Sequence, residues 1–373
     1  MPVGTSMRVI VVLPPDFADP IGGYAVAYQY ANRLAARGHR VSVLHIDPTP
    51  WADLARRPVR VARQLGRRFG RAKLKPVSWF AMSDAVDVRT VPALRPSDVQ
   101  DADAVVATAW RTAEDVAALG LGPARSFYLI QHFEDWDGPR AEVEATWRLP
   151  ITKIAISDWL VDKAAELDAL PIAVVRNGVD EKVFRTTVPP EDRNPATVTM
   201  MWHEKEWKGS DTGLEGLRKA QARVPELKVS LFSFYEPPAD LPDWISFHRG
   251  LSGPTLSALH NQNAIFLAPS VSEGSPLPIT EAFASGCAVV ATDIPGVAGF
   301  AFHDKTALLV PVGDSDAMAE AIVTLVRDPA RRIALAHAGN DFALGELSWD
   351  KCCTNFEAVL RGEPNDLRTS TVA

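Results

Sequence analysis

The fold is decided by a loop that leaves a strand and enters a helix near Pro278, Ser272-Glu-Gly-Ser-Pro-Leu-Pro-Ile-Thr-Glu-Ala-Phe-Ala-Ser-Gly286. An apolar run precedes this loop at residues 264–268, and another follows the helix at residues 288–291. A strand, a loop of small residues and a helix in this order are typical of an α/β sheet. Backbone N–H groups at such a helix start attract phosphate.

Two glutamates of this segment carry its chemistry. Glu273 lies in the loop and Glu281 in the opening turns of the helix, so both carboxylates are placed to border the same pocket. Ionised carboxylates only accept hydrogen bonds, which suits the hydroxyls of a sugar. The alternative is that Glu281 complements the helix dipole and Glu273 is a solvated loop residue. The residues alone leave both interpretations open.

The alternation of strands and helices extends over most of the chain. It begins with the run 7–13, the glycine pair Gly22-Gly23 and a helical pattern that stops at Gly38, followed by strands at 41–46, 104–108 and 126–130. A second series predicts strands at 198–202, 228–232, 264–268 and 288–291, and a helix at 315–326. Parallel sheets covered by helices are expected. The polar stretch 186–195 is interpreted as the connection between two domains.

The composition is consistent with two globular domains. The 373 residues exceed what one hydrophobic core usually holds, and 47% of them are apolar. The net charge of −7 gives no reason to expect nucleic acid as a partner. The odd number of cysteines leaves no disulfide framework, and the first apolar run is too short to span a membrane. We therefore expect a cytoplasmic protein that at most touches the inner face of a membrane.

The loop and helix quoted above resemble the donor-site signature of glycosyltransferase family 4, including the spacing Glu-x7-Glu. Further matches occur in the family's order, at Gly22-Gly23, Arg37-Gly38-His39, Asn177-Gly-Val-Asp180 and Lys208-Gly209. The resemblance implies the GT-B architecture, which has two Rossmann-like α/β domains, a cleft between them and a C-terminal helix that crosses back to the first domain. The implied domains are 1–185 for the acceptor, 186–345 for the donor nucleotide sugar, and 346–373 for the returning helix and tail.

The resemblance also implies an activity. Members of the family transfer a sugar from a nucleotide diphosphate sugar to an acceptor hydroxyl with retention of anomeric configuration, and they need no metal or other cofactor. We expect an enzyme of bacterial polysaccharide or glycoconjugate synthesis, whose acceptor is a sugar, a lipid-linked sugar or a natural product. The rivals are a nucleotide-sugar epimerase or phosphorylase of the same fold, and a sensor that binds a sugar nucleotide without turnover.

Site residues follow from the resemblance position by position. Glu273 is expected to contact the donor sugar, Glu281 the ribose hydroxyls, and Lys208 the diphosphate. The backbone that approaches the diphosphate is that of Gly22, Gly23, Gly274, Ser275, Pro276 and Leu277, and glycine permits such an approach because it has no Cβ. One position departs from the family, which commonly has an arginine five residues before this lysine. That residue is His203 here, and Lys205 is the alternative second cation.

The segment Tyr128-Leu-Ile-Gln-His-Phe-Glu-Asp-Trp136 follows a buried strand and should emerge at the carboxyl end of the first sheet, where such sheets bind ligands. His132 aligns with a family histidine near the reacting sugar, so the catalytic candidates are His132, Lys208 and Glu273. The alternative is that His132 only bonds a neighbouring backbone group. The segment also resembles a subgroup that includes rhamnosyltransferases of bacterial surface polysaccharides, which suggests a deoxythymidine diphosphate sugar as donor.

Three other signals receive structural or open interpretations. Asp314-Ser-Asp316 imitates a metal-binding pair, but capping of the following helix explains it better, and no metal site is expected. Cys352-Cys353, in the final helix, is assigned to packing. The stretch Arg56 to Lys75 holds nine Lys or Arg residues and no acid. It is either a basic amphipathic helix that meets anionic lipid or a charged acceptor, or an exposed loop.

Overall fold

The computed structural model describes residues 5–15, 21–47, 79–363 and 367–368. The chain divides into two compact units. Unit 1 comprises Met1–Ile156, Leu160–Val175 and Cys353–Ala373, and unit 2 comprises Ser157–Trp159 and Arg176–Cys352.

The strands of unit 1 form one sheet in the order β14-β7-β6-β5-β4-β1-β2-β3. All neighbouring strands are parallel except β14, which runs antiparallel to β7. In chain order they are β1 (Arg8–Leu13), β2 (Arg40–Ile46), β3 (Val86–Val91), β4 (Ala104–Ala107), β5 (Ser126–Ile130), β6 (Thr152–Ala155), β7 (Ile172–Val174) and β14 (Leu367–Arg368). The helices of this part of the chain are α1 (Gly22–Ala36), α2 (Pro96–Val99), α3 (Trp110–Ala118), α4 (Arg140–Trp147) and α5 (Asp158–Glu166).

Unit 2 contains a second, wholly parallel sheet in the order β10-β9-β8-β11-β12-β13. Its strands are β8 (Thr197–Met201), β9 (Lys228–Ser233), β10 (Ile245–Arg249), β11 (Ile265–Ala268), β12 (Ala288–Thr292) and β13 (Ala307–Val310). Its helices are α6 (Ser210–Arg223), α7 (Gly253–Gln262), α8 (Leu277–Ala284), α9 (Ser315–Arg327) and α10 (Pro329–Glu346). The last helix, α11 (Trp349–Leu360), begins in unit 2 and ends in unit 1.

These strands form where the sequence carries unbroken apolar runs. Every residue of β4, β5 and β12 is buried, as expected of parallel strands that helices cover on both faces. Two parallel-sheet α/β units of this kind confirm the predicted fold class. Because β8 and β11 are neighbours in the second sheet, the loops that follow their carboxyl ends lie side by side.

The boundaries of the units differ from the sequence-based ones. Unit 2 begins at Arg176 rather than at residue 186. The reason is that Val179 and Phe184 belong to its buried core, and the N–H of Val179 donates to the carbonyl of Leu347 at 2.7 Å. The predicted connection 186–195 therefore lies inside unit 2. The chain leaves unit 2 after Cys352 rather than at residue 345, and Trp349 packs directly on Gly178.

The C-terminal part of α11 is anchored within unit 1. The ring of Phe356 stacks on that of Tyr30 in α1, with centroids 4.2 Å apart. One turn of this helix also contains Cys352 and Cys353, which are buried, so their assignment to packing is confirmed.

Local signals that were discounted have ordinary structural roles. The side chain of Asp314 caps α9 by accepting from the N–H of Ala317 at 2.9 Å, as predicted, and Asp316 pairs with Lys219. Within the ranges that the structure describes, no three His, Cys, Asp or Glu side chains are grouped so as to hold a metal ion. None of the described helices combines the length and hydrophobicity of a membrane span. The basic stretch Arg56 to Lys75 lies outside the described residues.

Candidate functional site

The centre of the candidate site is an ion pair between the two loops that follow β8 and β11. Lys208 ends a short 3₁₀ turn, Glu206–Lys208, and Glu273 lies in the loop before α8. Gly209 makes this approach possible because its φ is +64° and a Cβ there would lie 2.0 Å from the carbonyl oxygen of Pro269. The Nζ of Lys208 lies 2.7 Å from Oε1 of Glu273.

This pair is mostly withdrawn from solvent. The Lys208 side chain is 21% exposed and the Glu273 side chain 12%. The hydroxyl of Ser270 also donates to Oε1 of Glu273, at 2.8 Å. Glu273 is thus mostly buried and paired, which argues against the interpretation of it as a solvated loop residue. No signal in the sequence pointed to Ser270, which the structure adds to the candidate site.

A small recess lies beside the pair at the carboxyl end of the sheet. Its walls combine the two charged side chains with apolar groups of β11 and the start of α8. The lining residues are Met201, Lys208, Phe266, Leu267, Ala268, Pro269, Ser270, Glu273, Pro276, Pro278 and Ile279.

Backbone donors converge on the same loop. Among the described residues, no protein acceptor receives the N–H groups of Gly274, Ser275 and Leu277. Leu277 is the first residue of α8, where the first N–H groups of a helix have no partner within the helix and the dipole favours an anion. An ammonium group and several unpaired amides in one place form a natural site for a phosphate.

Glu281, in the helix that follows this loop, is the second carboxylate of the segment and has no such partner. Within the described part of the chain its carboxylate makes neither a hydrogen bond nor an ion pair. Burial of the Glu281 carboxyl raises its pKa to about 7. It is the fifth residue of α8, beyond the first turn in which the helix dipole acts, so dipole complementation does not explain it.

The two candidates for a second cation behave differently. Burial, followed by the charges of Lys208 and Lys205, lowers the pKa of His203 to about 4. Its Nδ1 accepts the N–H of Lys205 at 3.0 Å, and its ring meets that of Tyr235 edge to face. His203 is therefore neutral at physiological pH. Lys205 is exposed and carries its ammonium 5.7 Å from the ring centroid of Trp207.

Unit 1 brings together a separate group of predicted residues. Gly22 and Gly23 begin α1, and Gln131 donates from Nε2 to the carbonyl of Gly23 at 3.1 Å. A Cβ at Gly23 would lie 3.2 Å from that amide nitrogen, so this glycine allows close packing, whereas Gly22 faces nothing within 4 Å. Nδ1 of His132 lies 3.1 Å from the carbonyl oxygen of Phe133. His132 therefore makes the contact with a neighbouring backbone group that was the predicted alternative to a role near the reacting sugar.

Glu134 is an additional titratable group at this edge of the unit 1 sheet. Its carboxylate accepts the N–H of Trp110, the first residue of α3, at 2.8 Å. Burial is the main reason that its pKa rises to about 7, although the hydrogen bond from Trp110 opposes the shift. Its place two residues after His132 was the only signal in the sequence.

Comparison with known proteins gives this arrangement a family. Residues 197–328, which include Lys208, Glu273 and Glu281, match the family described as Glycosyl transferases group 1. A phosphatidyl-myo-inositol mannosyltransferase of Mycolicibacterium smegmatis is 26% identical over 354 residues, which cover 87% of this chain and 86% of that protein. Residues 197–328 of the chain are thus similar to the group 1 glycosyltransferases.

Two further comparisons extend this result. A GDP-mannose-dependent alpha-(1-6)-phosphatidylinositol monomannoside mannosyltransferase of Mycobacterium tuberculosis is 27% identical to this chain over 128 residues, 32% of this chain and 33% of that protein. The structure of Anabaena HepE in complex with UDP-glucose superposes with a TM-score of 0.71 at 15% identity, covering 95% of this chain and all of HepE. The second likeness is one of fold, and it agrees with the two parallel-sheet α/β units described above. An epimerase, a phosphorylase or a sensor is not favoured by these relatives.

Proposed function

We propose that this glycosyltransferase moves a hexose from a nucleoside diphosphate sugar to an acceptor hydroxyl and retains the anomeric configuration. One observation carries the proposal. The ammonium of Lys208 and the carboxylate of Glu273 are fixed 2.7 Å apart beside the unpaired amides at the start of α8. The ammonium and the amides can bind a diphosphate, and the carboxylate of Glu273 can accept a hydrogen bond from a sugar hydroxyl.

In the proposed reaction, the bond between the anomeric carbon and the diphosphate oxygen breaks, and a bond from the acceptor oxygen to the same carbon forms on the same face. The acceptor proton passes to the departing phosphate oxygen, so the products are a glycoside and a nucleoside diphosphate. Negative charge therefore develops on the diphosphate. Lys208 and the amides of Ser275 and Leu277 stabilise that charge in place, without a protein nucleophile.

The two carboxylates divide the remaining contacts in this proposal. Glu273 accepts a hydroxyl of the transferred sugar, and its pairing with Lys208 fixes its orientation before the donor binds. Glu281, which has no partner of its own, accepts the ribose hydroxyls. His203 contributes as a neutral donor or by packing, because its low pKa excludes a charged role. Lys205 is the second cation.

The acceptor side belongs to unit 1 in this proposal. His132 and Glu134 are the titratable groups there, and Gly22, Gly23 and Gln131 shape the backbone near them. Relatives whose names specify phosphatidylinositol-based acceptors support an acceptor that carries a lipid. A peripheral position on the inner face of a membrane would fit such an acceptor, and the basic stretch Arg56 to Lys75 is the proposed contact.

A donor panel tests the proposal. Isothermal titration with GDP-mannose, UDP-glucose and deoxythymidine diphosphate rhamnose should give micromolar to submillimolar binding of at least one donor. The preferred donor should release its nucleoside diphosphate only when an acceptor is present, and the anomeric coupling in the NMR spectrum of the product should match that of the donor. Binding of none of a wider set of nucleotide sugars, or a product of inverted configuration, would contradict it.

A further inference from the structure

Trp159 reaches the candidate donor loop from a distant part of the sequence. It is one of three residues, Ser157–Trp159, that belong to unit 2 although they precede most of it in the chain. Its indole Nε1–H donates to the carbonyl oxygen of Gly274 at 3.0 Å, across a separation of 115 residues. Gly274 directly follows Glu273, so the bond is made next to the carboxylate of the ion pair.

The bond also determines the direction of a backbone donor. The carbonyl of Gly274 and the N–H of Ser275 belong to one planar trans peptide and point in opposite directions. A group that binds the carbonyl from one side therefore aims the N–H toward the other side. That N–H is one of the amides for which the described residues provide no acceptor.

The residue next to Trp159 is itself held in place by an ion pair. The neighbouring Asp158 forms an ion pair with Arg176, in which Nη2 lies 2.7 Å from Oδ2. Gly299 packs against this pair so closely that a Cβ would lie 2.3 Å from Nη1 of Arg176. The tryptophan is thus attached to a fixed point of unit 2.

The loop makes a second close contact, at Gly296. A Cβ at Gly296 would lie 2.2 Å from the carbonyl oxygen of Glu273, so only glycine allows the loop to rest there. Contacts at two consecutive carbonyls, those of Glu273 and Gly274, define the path of the loop.

We propose that Trp159 is a positioning residue for the donor. It holds the backbone of Glu273, Gly274 and Ser275 so that the Ser275 amide meets the diphosphate and the Glu273 carboxylate meets the sugar. Trp159 acts through the loop and does not touch the reacting atoms. The inference rests on the proposed function, because it assigns the loop to donor binding.

Two tryptophan variants separate positioning from general packing. W159F removes the indole N–H and keeps an aromatic ring. W202F makes the same change at a partly buried tryptophan of unit 2, whose buried Nε1 has no hydrogen-bond partner among the described residues. The probe is whichever of GDP, UDP and dTDP binds the wild type most tightly by isothermal titration.

We expect W159F to raise the Kd of that nucleotide about three- to tenfold, as loss of one hydrogen bond would. W202F should leave it within about twofold, a change smaller than one such bond produces. The melting temperatures of the two variants should be similar. W159H, which keeps a ring N–H, should recover part of the affinity. G296A should also weaken binding, because its Cβ would displace the carbonyl of Glu273.

The result that overturns the inference is a wild-type Kd in W159F and G296A when K208A has lost affinity. A lower melting temperature in W159F with an unchanged Kd would also overturn it, since Trp159 would then only stabilise the fold. If K208A too binds the nucleotide as the wild type does, the proposed donor site itself is wrong. The two failures are therefore distinguishable.

Discussion

Lys208 and Glu273 are 65 residues apart in the sequence, yet their charged atoms are 2.7 Å apart in unit 2. Each was predicted to contact the donor independently. Their pairing shows that two opposite charges of the candidate site neutralise each other where the chain leaves the carboxyl ends of β8 and β11. If one partner were removed, the other would remain as a mostly buried charge without its counter-charge.

Replacement of Lys208 tests this arrangement. K208A should reduce kcat/KM for the donor about ten- to hundredfold, since a charge-assisted bond contributes about 1.5 to 3 kcal/mol. The matched control is K228A, which removes an exposed lysine at the amino end of β9 and should retain wild-type kinetics. Steady-state kinetics with varied donor give the comparison. Wild-type donor kinetics in both K208A and E281A would remove the basis of the site.

Glu281 should make donor binding depend on pH. Its pKa is raised to about 7, so it is ionised above that value and becomes protonated as the pH falls through it. A protonated carboxyl is a poorer acceptor for ribose hydroxyls, and the donor KM of the wild type should rise below about pH 7. E281Q should show a higher KM with little pH dependence across this range. KM measured from pH 5.5 to 8.5 gives the test, and parallel profiles for both proteins would contradict the assignment.

The same group should affect stability in the opposite direction. A carboxyl whose pKa is higher in the folded state favours folding in its protonated form, so its contribution is present below the ordinary value of 4.5 and is lost as the pH rises toward 7. E281Q should therefore be more stable than the wild type at pH 8 and no more stable at pH 4.5. Urea unfolding at the two values measures this difference. Greater stability of the wild type at pH 8 would mean that the carboxylate has a partner.

Catalysis should not require a divalent metal. In the proposed site, lysine and backbone amides meet the diphosphate, which in carboxylate-based sites is held through a metal ion. Turnover should be unchanged after treatment with EDTA. Loss of activity that magnesium or manganese restores would overturn the mechanism and would make Asp314 and Asp316 candidates again.

Glu357 should hold the C-terminal helix in unit 1. Its carboxylate lies 3.3 Å from Arg37 and 3.1 Å from His39, and Arg361 of the same helix approaches to 2.8 Å. E357Q should destabilise the protein by about 1 to 3 kcal/mol in urea unfolding, because several hydrogen bonds to one charge are weakened together. E346Q, which disrupts an exposed pair with Lys351, should cost less than about 0.5 kcal/mol. Equal effects of the two changes would argue against a special role for Glu357.

Much of unit 2 could be predicted because its signals are local. The strand, loop and helix around Glu273 and Glu281 follow from apolar runs and small residues that are neighbours in the chain, and such patterns indicate strands and helices. Asp314 was correctly interpreted as a cap for the same reason, since its partner Ala317 is three residues away. The order of these elements was sufficient to establish two α/β units.

The tertiary structure alone decided which residues far apart in the sequence contact each other, and which of them are charged. The ion pair of Lys208 with Glu273, the bond from Trp159 to Gly274 and the start of unit 2 at Arg176 depend on which loops the sheet order places side by side. The protonation states of His203 and Glu281 depend on burial, which sequence position does not show. Periodicity is set by neighbours along the chain, whereas desolvation and ion pairing are set by neighbours in space. The sequence by itself therefore determined the fold and the location of the candidate donor loop, and the packing determined how that loop is charged and held.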